Sequence, residues 1–256
     1  MKRVLAALTL FTRLPFWRIA DIPQECYSQA VVYWPLTGWL TGGLTAAVMY
    51  GCSYVMPWQM AVITGLVAKL LLTGALHEDG LADFCDAFGC GGDKNRILSI
   101  MKDSHIGTYG VIGLIMYYIL TVATISSMDV IMGALAVAAC DPFAKLCAGQ
   151  LTNLLPYARP EGAKNKISYS RMNAWQITVQ ILFGIIPIGI FIYLYRYLSM
   201  SLALIPPVIV TALLIRYMRA KIGGYTGDCC GATYLICELV MLMSVNLIWW
   251  NALSNS

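Results

Sequence analysis

Seven apolar stretches, each near the length that crosses a bilayer, constrain this chain more than any other feature. A transmembrane helix needs about 20 residues to cross roughly 30 Å of hydrocarbon, and runs of that kind occupy about 30–56, 58–76, 107–127, 130–155, 175–196, 200–220 and 231–250. With 59% hydrophobic and 12% charged residues among 256, the chain departs from soluble domains, which carry about 25% charge. Backbone groups in lipid must be satisfied within the segment, so runs of this length form helices. The predicted fold class is all-α: a polytopic integral membrane helical bundle of about seven transmembrane helices, organised as one domain over 1–256. The first and fourth runs leave length for tilt or an interfacial turn. Pro206-Pro207 predicts that the sixth starts late or kinks.

The cations between the runs set an orientation. Lys2, Arg3, Arg13 and Arg18 precede the first run; Lys94, Arg96 and Lys102 lie in 77–106; Arg159, Lys164, Lys166 and Arg171 lie in 156–174; Arg216, Arg219 and Lys221 lie in the 216–230 stretch. With seven spans all four segments share one side, opposed only by Arg196. The positive-inside rule makes that side cytoplasmic and the C-terminus external, as expected for a multi-pass protein of the cell (inner) membrane. The net charge of +4 follows from this bias and calls for no nucleic-acid partner. Lys2-Arg3 and the apolar Val4 to Phe11 resemble the start of a signal peptide, but Arg13 and Pro15 interrupt it and no small-residue cleavage site follows. A retained amphipathic segment on the lipid surface is expected. Nine cysteines contain no C-x-x-C pair, and are read as reduced packing thiols.

Against this apolar background, Glu78, Asp79, Asp83 and Asp86 crowd into one short segment after His77. In a helix, Asp79, Asp83 and Asp86 stand at i, i+4 and i+7 and share a face, with Glu78 one residue off it. Like charges on one face repel, and a hard divalent cation such as Mg²⁺ removes that repulsion while completing its shell with water and phosphate. An acidic first turn of a surface helix is the plainer alternative. Further on, Lys102, Asp103, Ser104 and His105 precede Gly107 and Gly110, a set that fits either a phosphate site or an interfacial loop whose glycines start a helix. Gly223, Gly224, Thr226, Gly227 and Asp228 form a glycine-rich turn opening the last run, where free backbone N–H groups can hold a phosphate and Asp228 can ligate a metal or cap the helix. Lys69, Asp141, Lys145 and Glu238 fall within runs and should face the bundle interior, with Asp141 and Lys145 paired at i, i+4.

These segments resemble the cobalamin synthase family, the adenosylcobinamide-GDP ribazoletransferases. The resemblance is carried by Thr73 to Asp86, Met101 to Gly110 and Gly223 to Ala232, and extends through Phe11-Thr12-Arg13-Leu14-Pro15, Trp34-Pro35-Leu36-Thr37-Gly38 and Pro156 to Gly162. It implies a Mg²⁺-dependent membrane enzyme joining adenosylcobinamide-GDP to α-ribazole or α-ribazole 5′-phosphate, with release of GMP. Under that resemblance Asp79, Asp83, Asp86 and Asp228 would hold metal, with Asp79 also placed at the reacting centre. His77 or Glu78 would take the hydroxyl proton. Lys102, Asp103, Ser104, Arg159, Gly224, Thr226 and Gly227 would contact substrate, and Trp34, Trp39 and Tyr225 are candidates for lining a pocket for a flat base or corrin edge, or for sitting at the membrane interface. Ala75 stands where the family often has Gly, His105 where Arg is common, and Asp141-Pro142 where a Ser-Arg pair is expected, with Lys145 a substitute point charge one turn on. Besides membrane lipid, small residues at Gly38, Gly42, Gly43 and Ala46 permit a homodimer, and association with other cobalamin-assembly enzymes is open. The rival classes are a CDP-alcohol-phosphotransferase-like enzyme, whose Asp-Gly-x-x is followed by Ala-Arg where this chain has Ala82-Asp83, and a transporter, for which the chain shows neither repeated halves nor a mid-span carboxylate cluster.

Overall fold

The computed structural model describes residues 1–159, 169–195 and 198–254. Its helices are α1 (Lys2–Phe11), α2 (Gln24–Tyr27), α3 (Trp34–Cys52), α4 (Trp58–Thr73), α5 (Leu76–Cys90), α6 (Lys94–Ile100), α7 (Thr108–Ser126), α8 (Val130–Gly149), α9 (Leu151–Leu154), α10 (Ala174–Tyr195), α11 (Ile205–Ile222) and α12 (Gly227–Ser254). No strand is found among the described residues, only a two-residue parallel bridge between Tyr157 and Tyr225. The fold is an all-α membrane bundle, and each predicted apolar run coincides with a helix. Pro206 and Pro207 occupy the first turn of α11, where their missing N–H groups leave no bond unmade.

By length and composition, fewer than seven of the helices qualify as spans. Five segments are long and apolar enough to cross a membrane: Thr108–Ser126, Val130–Leu154, Ala174–Tyr195, Leu198–Ile222 and Gly227–Ala252. A sixth exists only if α4 and α5 count as one span across a 92° bend. The reasons lie in the two helices. At 16 residues, α4 reaches only about 24 Å. In α3, Thr37, Thr41, Thr45 and its glycines dilute the apolar content. At 15 residues α5 reaches about 22 Å and lies outside the spanning segments, so 77–106, expected as a loop, is largely the two helices α5 and α6. Part of the cation-rich 156–174 segment, including Lys164 and Lys166, and also Arg196, lies outside the described residues.

Burial sorts the spans. The Val130–Leu154 segment is 78% buried, whereas those of α10 and α11 are 22% buried. The helix α8 is therefore the axis, wrapped by α3, α10 and α12. Ile115 and Ile119 on α7, Leu182 and Ile190 on α10, and Val208 and Leu213 on α11 face outward, forming the apolar exterior that lipid requires. Gly38 and Gly42 let α3 pack directly on α8, since a Cβ at either would overlap Asp141 or Pro142. That contact is within the chain, so these glycines are not free for a dimer.

Inside the bundle the four expected interior charges gather into one cluster, with Asp141 and Lys145 paired as their spacing predicts. Lys69 of α4 lies 2.5 Å from Glu238 of α12 and 3.2 Å from Asp141 of α8, and Lys145 lies 2.5 Å from Asp141. Thr41 and Tyr234 donate hydroxyls to Asp141 at 2.9 and 3.0 Å, and Tyr117 donates to Glu238 at 3.3 Å. Two cations and two carboxylates cancel, and the hydroxyls fill remaining lone pairs, which is the condition under which buried charges are tolerated. Asp141-Pro142 is thus compensated by Lys69 and Lys145. The residue Lys145 is fully buried in this cluster and supplies no substitute phosphate contact.

Candidate functional site

The acidic helix is aimed by a kink of two left-handed residues. Gly74 ends α4 at φ +69° and Ala75 starts α5 at φ +59°, and together they turn the chain by 92°. Glycine takes that conformation freely, while alanine sits there at a cost of about 1–2 kcal/mol. Arg13 fixes the corner: its N–H donates to Leu72 O at 2.7 Å and its side chain fills the space a Gly74 Cβ would need.

Beyond the corner α5 packs on the start of α12 with almost no side chain between the two backbones. A Cβ on Gly80 would lie 3.0 Å from Asp228 O, and one on Gly231 would lie 3.2 Å from His77 O. This approach sets Asp228 beside Asp79 and Asp83. A third strand of chain joins through Tyr225 N–H to Pro156 O at 2.9 Å and Ala158 N–H to Tyr225 O at 2.8 Å. A Cβ on Gly224 would overlap Pro156 O, so glycine is required there. The bridge carries Arg159 to Asp228, where Nη2 donates to Oδ2 at 2.9 Å and to Met101 O at 3.3 Å. Thr226 donates its hydroxyl to the same carboxylate oxygen at 3.2 Å.

These groups surround a cavity of about 540 Å³, within the size range of small-molecule sites. His77, Asp79, Arg159, Gly227 and Asp228 line it, with Phe11, Trp34, Tyr157 and Tyr169 on the apolar side. Asp83 is outside the cavity lining but close enough to Asp228 and Asp79 to feel their charges. Burial first, then the charges of Asp228 and Asp79, push its carboxyl up to about 7. His77 is 2% exposed; burial, reinforced by the nearby Lys145 charge, holds it well below the ordinary imidazole range, so it is neutral.

Other predicted residues sit elsewhere. Asp86 shares the helical face of Asp79 but lies about 10 Å further along it, where it meets α7 instead. Its carboxylate accepts Gly107 N–H at 2.7 Å and Gly110 N–H at 2.9 Å, so the two glycines that resembled a phosphate cradle hold the protein's own anion. A Cβ at Gly107 would lie 2.5 Å from Asp86 Oδ1. Glu78 points away from the cavity toward Lys69 and Tyr118. Lys102, Asp103 and Ser104 are exposed and lie outside the cavity lining, with Asp103 bonded to His105 Nδ1 at 2.7 Å. Among the described residues no three His, Cys, Asp or Glu side chains converge closely enough to chelate an ion unaided. Phe11, Tyr157 and Tyr169 escaped the sequence reading as site residues, because aromatics follow no spacing rule when three separate segments supply them.

Carboxylates, an arginine and a helix start thus converge on one cavity of a helical membrane protein. The model of the cobalamin-5-phosphate synthase family matches residues 3–246. A Ralstonia pickettii adenosylcobinamide-GDP ribazoletransferase is 34% identical over 249 residues, covering 96% of this chain and 95% of its own. The enzymes of the same name from Leptospira interrogans and Shewanella amazonensis are 33% and 32% identical, each over 96% of this chain and at least 95% of their own length. No solved structure matches. The chain belongs to the cobalamin-5-phosphate synthase family.

Proposed function

We propose that the protein transfers the adenosylcobinamide-phosphate group of adenosylcobinamide-GDP to α-ribazole or α-ribazole 5′-phosphate, releasing GMP. The observation that carries this reading is the convergence of Asp79, Arg159, Asp228 and the start of α12 on one cavity. A ribazole hydroxyl attacks the cobinamide-linked phosphorus, the bond to the GMP oxygen breaks, and GMP departs with that electron pair. The hydroxyl proton goes to a base on the cavity wall, for which His77 and Asp79 are the candidates. Free N–H groups at Gly227 and the Arg159 guanidinium favour phosphate at this end.

Asp79, Asp83 and Asp228 are the residues that would hold Mg²⁺. Their hard oxygens, and the burial and then neighbouring carboxylates that raise Asp83, fit a cation that usually takes one or two carboxylates and completes its shell with water and phosphate. Bound there, Mg²⁺ would neutralise charge on the diphosphate and on the departing GMP. Asp86 fits less well, because both its oxygens already accept backbone N–H groups. The Lys/Arg bias favours a cytoplasmic site in the cell (inner) membrane. Self-association, or docking of other cobalamin-assembly enzymes, would need a surface other than Gly38 and Gly42, such as the open side of α3 around Gly43. The interior charges that a transporter reading would invoke are mutually paired, and none lines the cavity.

The test is purified protein in lipid with adenosylcobinamide-GDP, α-ribazole and Mg²⁺. GMP and a ribazole-bearing corrinoid should appear in equal amounts and disappear with chelator. GMP formation without corrinoid transfer would mean a hydrolase and end this reading.

A further inference from the structure

The two carboxylate oxygens of Asp228 have unlike surroundings. Oδ2 is held by the chain, accepting from Arg159 Nη2 at 2.9 Å and from the Thr226 hydroxyl at 3.2 Å. No other residue among those described donates to Oδ1, which is nonetheless not shut away as a buried unpaired atom. The Asp228 side chain is 24% exposed and lines the cavity, so Oδ1 is the oxygen open to a ligand there. Thr226, expected among the substrate contacts, is fully buried and lies outside the cavity lining. Its hydroxyl oxygen accepts Cys229 N–H at 3.3 Å as the cap of α12, and its single proton has three acceptors in reach: Asp228 Oδ2, Cys229 Sγ at 3.4 Å and Met101 Sδ at 3.6 Å. Sulfur is a weak acceptor and an ionised carboxylate a strong one, so the proton goes to Asp228.

We infer that Thr226 is a positioning residue: its hydroxyl, with the Arg159 guanidinium, holds one oxygen of the Asp228 carboxylate so that the other, Oδ1, is the one that receives a divalent cation. The inference rests on the reading above that Asp228 ligates Mg²⁺, and supplies what keeps that carboxylate aimed. The terminal torsion of an aspartate is broad, so an unheld carboxylate swings. Two donors on one oxygen remove that freedom, and both are themselves anchored. Arg159 Nη2 also donates to Met101 O at 3.3 Å, and Thr226 is fixed by its cap bond to Cys229 N–H. A cation can then bind at Oδ1 without displacing Arg159 from Oδ2, which suits Mg²⁺, an ion that takes one or two carboxylates and keeps several waters. Residues that orient a ligating carboxylate in this way typically carry about 10–100-fold in metal affinity.

Binding of Mn²⁺, followed through the electron paramagnetic resonance of the free ion, reads this without turnover or corrinoid. The wild-type protein should bind Mn²⁺. Thr226→Val, which keeps the shape and removes the hydroxyl, should weaken binding about tenfold or more, and Thr226→Ser, which keeps the hydroxyl, should stay within about threefold of wild type. Thr233→Val is the control for the helix itself, because Thr233 is equally buried on α12 but bonds only to Cys229 O, at 2.7 Å. It should move Mn²⁺ affinity less than about twofold. If a valine methyl against the carboxylate prevents folding, Thr226→Ala, which leaves that space open, carries the same expectation. Wild-type affinity in the variant lacking the hydroxyl overturns the inference, as does a serine variant as weak as valine or a control that falls as far. A wild-type protein that binds no Mn²⁺ overturns it together with the Mg²⁺ reading. The expected order of Mn²⁺ affinities in a protein that forms no ribazole-bearing corrinoid would instead sink the proposed reaction and leave the role of Thr226 standing.

Discussion

Asp228 and Glu238 lie on the same helix, roughly 15 Å apart, in opposite electrostatic settings. Glu238 belongs to a closed set in which Lys69, Asp141 and Lys145 balance its charge and the hydroxyls of Tyr117, Tyr234 and Thr41 complete the hydrogen bonding. Asp228 belongs to an open set: it pairs with one cation, Arg159, and lines a cavity with Asp79, while the charges of Asp228, Asp79 and Arg159 all act on nearby Asp83. The same residue types therefore serve two ends. Charges that cancel inside the bundle fix helices α4, α8 and α12 to one another. Charges left in excess at its end keep an affinity for something not in the chain.

The largest test of that contrast is Lys69→Met. It removes the cation from Glu238 and one of two from Asp141, and uncompensated buried charge costs about 3–5 kcal/mol. Thermal unfolding in detergent should show a large drop in Tm, and an unchanged Tm would remove the structural role from the closed set. Asp228→Asn should do the reverse. Asparagine caps a helix about as well as aspartate, so stability should stay near wild type while GMP release falls at least about a hundredfold, or about 2.7 kcal/mol in the barrier. Comparable Tm losses in both variants would dissolve the distinction.

A smaller effect sharpens the open set. The folded-state carboxyl of Asp83 is raised to about 7, so its neutral form is favoured in the fold; the stability this contributes is complete below the unfolded value near 4 and is lost as pH rises through about 7. A cation that neutralises the site removes that loss. Millimolar Mg²⁺ should therefore raise Tm by about 2–4 °C at pH 8 and much less at pH 5, and Asp83→Asn should abolish the difference. Equal shifts at both pH values would detach Mg²⁺ from Asp83. The smallest effect concerns the corner that aims α5. Ala75→Gly relieves a left-handed alanine worth about 1–2 kcal/mol but loosens the unfolded chain, for a net gain of about 0.5–1 kcal/mol in denaturant unfolding. Gly74→Ala should destabilise, because the Arg13 side chain occupies the Cβ position.

The sequence by itself determined the helices and the chemistry they carry. Hydropathy placed the helices of the seven apolar runs to within a few residues, because lipid leaves an apolar run no other backbone solution. The carboxylate spacing, the glycine-rich turn and the family resemblance together pointed to His77, Asp79, Arg159, Gly227 and Asp228, all of which line one cavity. Tertiary structure alone decided how these were spent. Periodicity put Asp86 on the face of Asp79, but a helix face is a line as well as a direction, and its far end meets the N–H groups of Gly107 and Gly110. Spacing paired Asp141 with Lys145 on α8, but only the packing of α4, α8 and α12 brings Lys69 to Asp141 and Glu238 at 3.2 and 2.5 Å. Hydropathy ended the second run near 76, but only the structure shows that a left-handed Gly74-Ala75 corner there turns the chain by 92° into the acidic helix. Composition reports what each segment can bury; contact between segments settles which carboxylates are satisfied and which are left for a ligand.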